Sequence, residues 1–147
     1  MLNIRQMRIT DYENVYRLWK STPGMGLNTI DDSREGIANY LNRNPTTSFV
    51  AEETGEIVGA ILAGHDGRRG YIYHAAVSMK FRKRGIGTKL VGSVMESLEK
   101  EGIHKAALVV FSSNENGNIF WEKNGFIERT DLVYRNKNLT ELPRINP

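Results

Sequence analysis

Apolar and polar positions change period several times along this chain, and each change marks an element. Ile4 to Ile9 alternates well enough for a first strand. Tyr12, Val15, Tyr16, Leu18 and Trp19 then recur on one side of a helix. Thr10-Asp-Tyr-Glu13 reads as its capping box, and Ser21 to Gly26 must break it. A second cap, Asp32-Ser-Arg-Glu35, leads into Ile37, Tyr40 and Leu41, and Pro45 ends that helix. Two β-rich runs, Ser48–Glu53 and Glu56–Ala63, flank Thr54-Gly55 and predict a hairpin. The second run leads through Gly64–Gly70 to the apolar run Tyr71–Val77, which predicts a further antiparallel pair.

The pattern next switches from strand to helix. Ile86, Leu90, Val91, Val94 and Leu98 keep the period of an amphipathic helix that ends at Gly102. Ala106–Phe111 is a continuous apolar strand, and strand, helix, strand in succession imply a parallel pair with a right-handed crossover. Asn116–Lys123 predicts a short helix closed by Asn124-Gly125. Phe126 onward and Leu132–Leu139 read as two last strands, and the tail from about residue 140 as frayed. The expected order is β-α-α-β-β-β-α-β-α-β-β, an α/β fold with a mixed sheet and helices on both faces.

Between the Tyr71 strand and the helix after it lies Arg82-x-x-Gly85-x-Gly87, a basic turn at a helix mouth. Glycine lets backbone approach a ligand closely, and the first amides of a helix lack internal partners. With the helix dipole and the charges of Arg82, Lys83 and Arg84, such a turn suits a pyrophosphate. A plain tight turn has the same spacing. A Walker loop is absent, and Leu90 takes the place of the third glycine of a dinucleotide fingerprint.

Composition narrows the picture. At 147 residues the chain fits one domain, 1–147, with a substantial core. No cysteine occurs, which removes disulfides, thiolate nucleophiles and cysteine-based zinc sites and fits a cytoplasmic protein. Met1–Gln6 is too short and polar for a signal peptide, and no run of about eighteen apolar residues would cross a membrane. The net charge is +3, but the basic residues form local clusters, not a face interleaved with aromatics, which argues against nucleic-acid binding.

Three motifs, in this order of elements, resemble the GNAT superfamily of acyl-CoA-dependent N-acyltransferases over roughly residues 3–139. They are the strand ending Ala75-Ala-Val77, the turn Arg82-Lys-Arg-Gly85-Ile-Gly87, and Asn114-Glu-Asn-Gly-Asn-Ile-Phe-Trp-Glu-Lys-Asn-Gly-Phe126. The resemblance implies a parallel strand pair splayed at its C-terminal ends, with the pantetheine arm of acetyl-CoA in the gap. Backbone near Ala76, Val77 and Ser78 would pair with that arm. Amides of Arg84, Gly85, Ile86, Gly87 and Thr88 would hold the pyrophosphate, with Arg82 and Lys83 beside them. Asn114 would bond a pantetheine amide, although the residue alone reads equally well as a helix cap. The implied co-substrate is acetyl-CoA, without a metal, and the acceptor a small-molecule or peptide amine. Relatives often dimerise, but no motif here reports that.

The chain departs from the pattern where relatives often carry a tyrosine as acid, for here stands Trp121. Indole does not titrate usefully, so Trp121 packs on the ligand or in the core. Tyr73 and Tyr134 are the candidate acids. For the base, His74 competes with Glu53 and Glu52, because relatives often have a Glu where Val109 and Val110 stand. His74 could equally belong to the core. His65 and Asp66 could meet an amine or simply form a turn. With no cysteine to carry an acyl group, direct transfer in a ternary complex is expected. The rivals are a non-catalytic acyl-CoA sensor on the same fold and a basic nucleic-acid module.

Overall fold

In the computed structural model, which describes residues 1–145, the five strands stand in sequence order in one sheet. They are β1 Leu2–Gln6, β2 Phe49–Glu53, β3 Glu56–His65, β4 Gly70–Val77 and β5 Ala106–Leu108. The first four pair antiparallel, and β5 runs parallel to β4. The helices are α1 Tyr12–Lys20, α2 Arg34–Arg43, α3 Ile86–Lys100 and α4 Glu115–Lys123. No helix among the described residues is long and apolar enough to cross a membrane.

The core forms on both faces of the sheet because β2 and β3 alternate between them. Val50, Ala60 and Leu62 meet Val15, Leu18 and Trp19 of α1 and Ile37 and Leu41 of α2. Ala51, Val58, Ile61 and Ala63 meet Ile86, Leu90, Val91, Val94 and Leu98 of α3. A central strand covered on both sides reads as an unbroken apolar run, as Ile57–Ala63 does. The hairpin turns on Thr54 and Gly55, both at positive φ as a two-residue hairpin turn requires.

Several expected details change. β1 ends at Gln6, and Ile9–Asp11 is a turn of 3-10 helix. Asp11, not Thr10, stands at the N-cap of α1, but its side chain caps no amide of that helix: the carboxylate reaches back to the Arg8 amide at 2.8 Å and to Arg5 at 2.8 and 2.9 Å. The cap of α2 is Ser33, which accepts from the Gly36 amide, and this releases Asp32 for another role. The Ala106–Phe111 strand is three residues long, and Val109 and Phe111 are exposed. The two last strands are not formed among the described residues. Ile127, Leu132, Val133, Tyr134 and Leu139 stay exposed, since three residues of β5 offer too short a ladder and Arg135–Asn138 interrupts the apolar run. The tail was expected to fray. Thr29 instead donates to Pro143 and Ile145 to Leu27, while residues 146–147 lie outside those described.

Candidate active site

A bulge in β4 shapes the site. Leu62 pairs with His74 and Ala63 with Ile72, so Tyr73 is an extra residue on its strand. Tyr73 and His74 therefore both turn to the α1–α2 side: the Tyr73 ring lies 5.7 Å from that of Tyr40, and the His74 ring 4.8 Å from that of Trp19. A bulge also bends and twists its strand. Pairing with β5 stops at this point, the last partners being Ile72 and Leu108. Five residues of β4, Tyr73 to Val77, continue beside an open gap.

Strand alternation decides which backbone groups face that gap. Ser78 donates to Val58 on the β3 side at 2.8 Å, so the amide and carbonyl of Val77 point the other way. There Arg82 Nε reaches the Val77 carbonyl at 3.3 Å. By the same alternation Ala75 faces the gap, while Ala76 faces β3. Of the expected trio Ala76, Val77 and Ser78, only Val77 is open to a ligand.

The basic turn follows at once. Gly85 stands at φ 76°, and Ile86 begins α3. Lys89 donates to Gly85, while the amides of Arg84, Gly85, Ile86, Gly87 and Thr88 have no acceptor among the described residues. These are the free amides of a helix N-terminus. The two glycines serve different needs. Gly85 has open space around it and requires only its left-handed backbone, whereas a Cβ on Gly87 would come within 2.9 Å of the Phe120 ring of α4. Arg84 is held away from the turn by Glu53, at 2.8 and 3.3 Å, and lies 5.2 Å from the Phe81 ring centroid. Arg82 and Lys83 are exposed.

A cavity of about 740 Å³ opens at the splay. Tyr73, His74 and Ala75 of β4 wall one side, and Leu108, Val109, Val110 and Phe111 the other. Tyr40, Tyr71, Tyr134, Trp121, Asn114, Asp31 and Asp32 complete most of it. Burial pushes the Tyr73 phenol above its usual range, and Tyr134 and Asp31 nearby push the same way. Tyr71 is raised by burial and then by Tyr134 and Tyr73.

His74 is 8% exposed and Asp32 3% exposed. His74 Nε2 lies 2.8 Å from Asp32 Oδ1. Since an ionised carboxylate only accepts, Nε2 carries the proton in this bond. Nδ1 is buried without a partner. Asp32 also accepts from the Asn28 amide at 2.9 Å. Asp32 and Tyr40 were missed as site residues, Asp32 because Asp-Ser-Arg-Glu reads as a helix cap.

Other candidates fall in different places. Glu53 is bound to Arg84, and Glu52 meets Arg5 at 3.4 Å; neither lines the cavity. His65 pairs with Glu101 at 2.6 Å, and Asp66 accepts from the Arg68 and Arg69 amides, so that loop is a turn. Asn114 caps α4 by accepting from Gly117, and it also lines the cavity with its side-chain NH2 unengaged. Trp121 has aromatic neighbours and an open side. It packs edge-on against Phe120 and Phe126 and forms part of the cavity wall. Among the described residues no cluster of three His, Asp or Glu could hold a metal.

Comparison with known proteins gives the family and supports the fold. The profile of the Acetyltransferase (GNAT) family matches residues 12–126. An acetyltransferase of Pectobacterium atrosepticum is 34% identical over 140 residues, which are 95% of this chain and 97% of that protein. One of Photorhabdus laumondii is 36% identical over 114 residues, 78% of each. Among solved structures, the aminoglycoside N-acetyltransferase AAC(6')-Iy in complex with CoA superimposes with a TM-score of 0.74 at 22% identity, covering 93% of this chain and 95% of that one. The PaiA N-acetyltransferase of Thermoplasma acidophilum, in complex with coenzyme A, gives 0.74 at 20% identity over 85% and 89%. At that identity the structures speak to the fold, whereas the profile and the sequence relatives speak to the activity: the chain is an acetyltransferase of the GNAT family.

Proposed function

We propose that this acetyltransferase moves the acetyl group of acetyl-CoA to an amine by direct attack in a ternary complex. The observation that carries this is the unpaired length of β4, which runs from the free amides at the start of α3 to the cavity. The amides of Gly85, Ile86, Gly87 and Thr88, with Arg82 and Lys83 beside them, would hold the pyrophosphate. Val77 and Ala75 offer backbone groups to a pantetheine arm in the gap, and Asn114 offers an amide donor from across it.

Bound acetyl-CoA supplies an activated thioester. The amine nitrogen bonds to the carbonyl carbon, the C–S bond breaks, the thiolate leaves with the electron pair, and the nitrogen gives up a proton. Holding both reactants in one cavity supplies much of the rate. His74 would take a proton at the buried Nδ1 through a water, with Asp32 bonding the other ring nitrogen and fixing the imidazole. Tyr73, raised by burial, remains a phenol at neutral pH and can protonate the thiolate; Tyr134 stands beside it as the second candidate.

Thiol release from acetyl-CoA across a panel of amines, with mass detection of the N-acetyl product, tests the proposal. Product that appears only with an amine supports it. Tight CoA binding without product from any amine points to an acyl-CoA sensor instead.

A further inference from the structure

The chain carries 20 Lys and Arg residues. None of them lines the cavity. The titrating groups in the wall are Asp31, Asp32, His74 and four tyrosines. The two carboxylates outnumber the single imidazole, and no side chain of fixed positive charge faces them in the wall. Outside the cavity the sign reverses, at Lys80, Arg82, Lys83 and Arg84 around the turn. The protein thus separates a cationic end from an anionic one.

The neutral polar side chains Asn28, Asn114 and Asn136 add no positive charge to the wall. The Asn28 side-chain oxygen accepts from the Ile30 and Asp31 amides, and its NH2 donates to Asp31 at 3.1 Å. Asp31 itself is exposed, and no Lys or Arg side chain bonds it. Above it the aromatic wall is continuous. Tyr71 and Tyr73 have ring centroids 4.7 Å apart, and Tyr40 closes on Tyr73 at 5.7 Å. Aromatic faces attract a cation, and more strongly where water is displaced. A carboxylate in the same place would meet Asp31 and the ring faces with no partner of opposite charge, and would lose its hydration.

We infer that the acceptor is a cationic amine without a carboxylate, and that the enzyme excludes free amino acids by the charge of this cavity. The inference rests on the acetyl transfer proposed above and specifies its acceptor class. Asp31 supplies the unpaired negative charge, and Tyr40, Tyr71 and Tyr73 form the surface against which the cation or its apolar stem lies. The ammonium gives up one proton before it attacks and a second as the amide forms; the departing thiolate takes one and solvent the other. The acylated nitrogen is then neutral and loses its attraction to Asp31 and the rings, which favours release.

The test uses matched pairs that differ by one carboxylate: cadaverine against lysine, and phenethylamine against phenylalanine, with phenylalanine amide as the neutralised control. Binding to the intact protein in the presence of CoA is measured by calorimetry, so the readout does not require turnover. The decarboxylated member should bind about tenfold tighter or more, and the amide should recover most of the difference. Asp31→Asn should weaken cadaverine and phenethylamine by about tenfold while CoA affinity is unchanged, which also reports that the variant is folded. Equal or tighter binding of lysine or phenylalanine overturns the inference, as does failure of all the amines to bind. Acetylation of phenylalanine as fast as of phenethylamine would overturn it and leave acetyl transfer standing. Amine binding in the expected order without any transfer would uphold the cavity's selectivity and remove the proposed reaction.

Discussion

Asp32 Oδ1 and His74 Nε2 lie 2.8 Å apart beneath the cavity, both side chains almost wholly buried. The pair joins the loop before α2 to the bulged part of β4, residues 42 apart in sequence. A carboxylate on one ring nitrogen fixes the tautomer and leaves the other to accept a proton. His74→Gln should therefore lose turnover by about 100-fold or more, within the range of general base catalysis, with acetyl-CoA affinity retained. Asp32→Asn should give a smaller loss and shift the acid limb of the pH–rate profile. Because the Asn28 amide also relies on Asp32, it should cost about 1–3 kcal/mol of stability as well. Steady-state kinetics with urea unfolding separates the two effects. Near-normal turnover and an unchanged acid limb in His74→Gln would confine His74 to packing.

The two glycines of the turn should fail differently. Gly85→Asp puts a side chain on left-handed backbone and a negative charge among the free amides, so CoA affinity should fall steeply. Melting temperature should change less. Gly87→Ala pushes a methyl into Phe120, which should destabilise the fold by about 1–3 kcal/mol through the contact between α3 and α4. Calorimetric titration beside thermal unfolding reads both. Gly85→Asp with wild-type CoA affinity would remove the turn from the binding site.

Charge at the turn is unequal. Arg84 is engaged by Glu53, so Arg84→Ala should lower CoA affinity only slightly. Arg82 has no carboxylate partner, and Arg82→Ala should lower it several-fold, with the difference shrinking as salt rises. Titrations at about 0.05 and 0.5 M salt check this, and equal losses from both variants would contradict it.

Tyr73 sets the expectation at high pH. Burial comes first among the causes that raise it, followed by Tyr134 and Asp31. A phenol whose pKa lies above its ordinary value of about 10 keeps its proton as pH climbs, and loses it only above that raised value. The donor is then intact across pH 7–10, and no alkaline limb should arise from it in that window. Tyr73→Phe should lower turnover by about tenfold to 100-fold, and Tyr134→Phe less. If Tyr73→Phe is silent and Tyr134→Phe is not, the acid is Tyr134.

The sequence made the sheet's centre and the turn legible, because both are local. Alternation, helical period and two glycines before Ile86 need no distant partner to be read. The site's other half depends on contacts that the pattern does not carry. Asp32 reads as a helix cap until Ser33 is seen to take that place, and the bulge at Tyr73 leaves no mark on an apolar run. Without the bulge, strict alternation would send Tyr73 and His74 to opposite faces, and their shared wall would be lost. The last strands failed for a related reason: Leu132–Leu139 has a β pattern, but β5 ends at Leu108 and gives it little to pair with.

The central claim is that the gap beside β4 carries acetyl-CoA from the turn to an amine in the cavity. The most direct measurement follows free thiol and N-acetyl product together, in one reaction containing acetyl-CoA and a carboxylate-free amine. Equal amounts of both are expected, abolished together by Gly85→Asp. Thiol release without N-acetyl product, or product formation unaffected by Gly85→Asp, would contradict it.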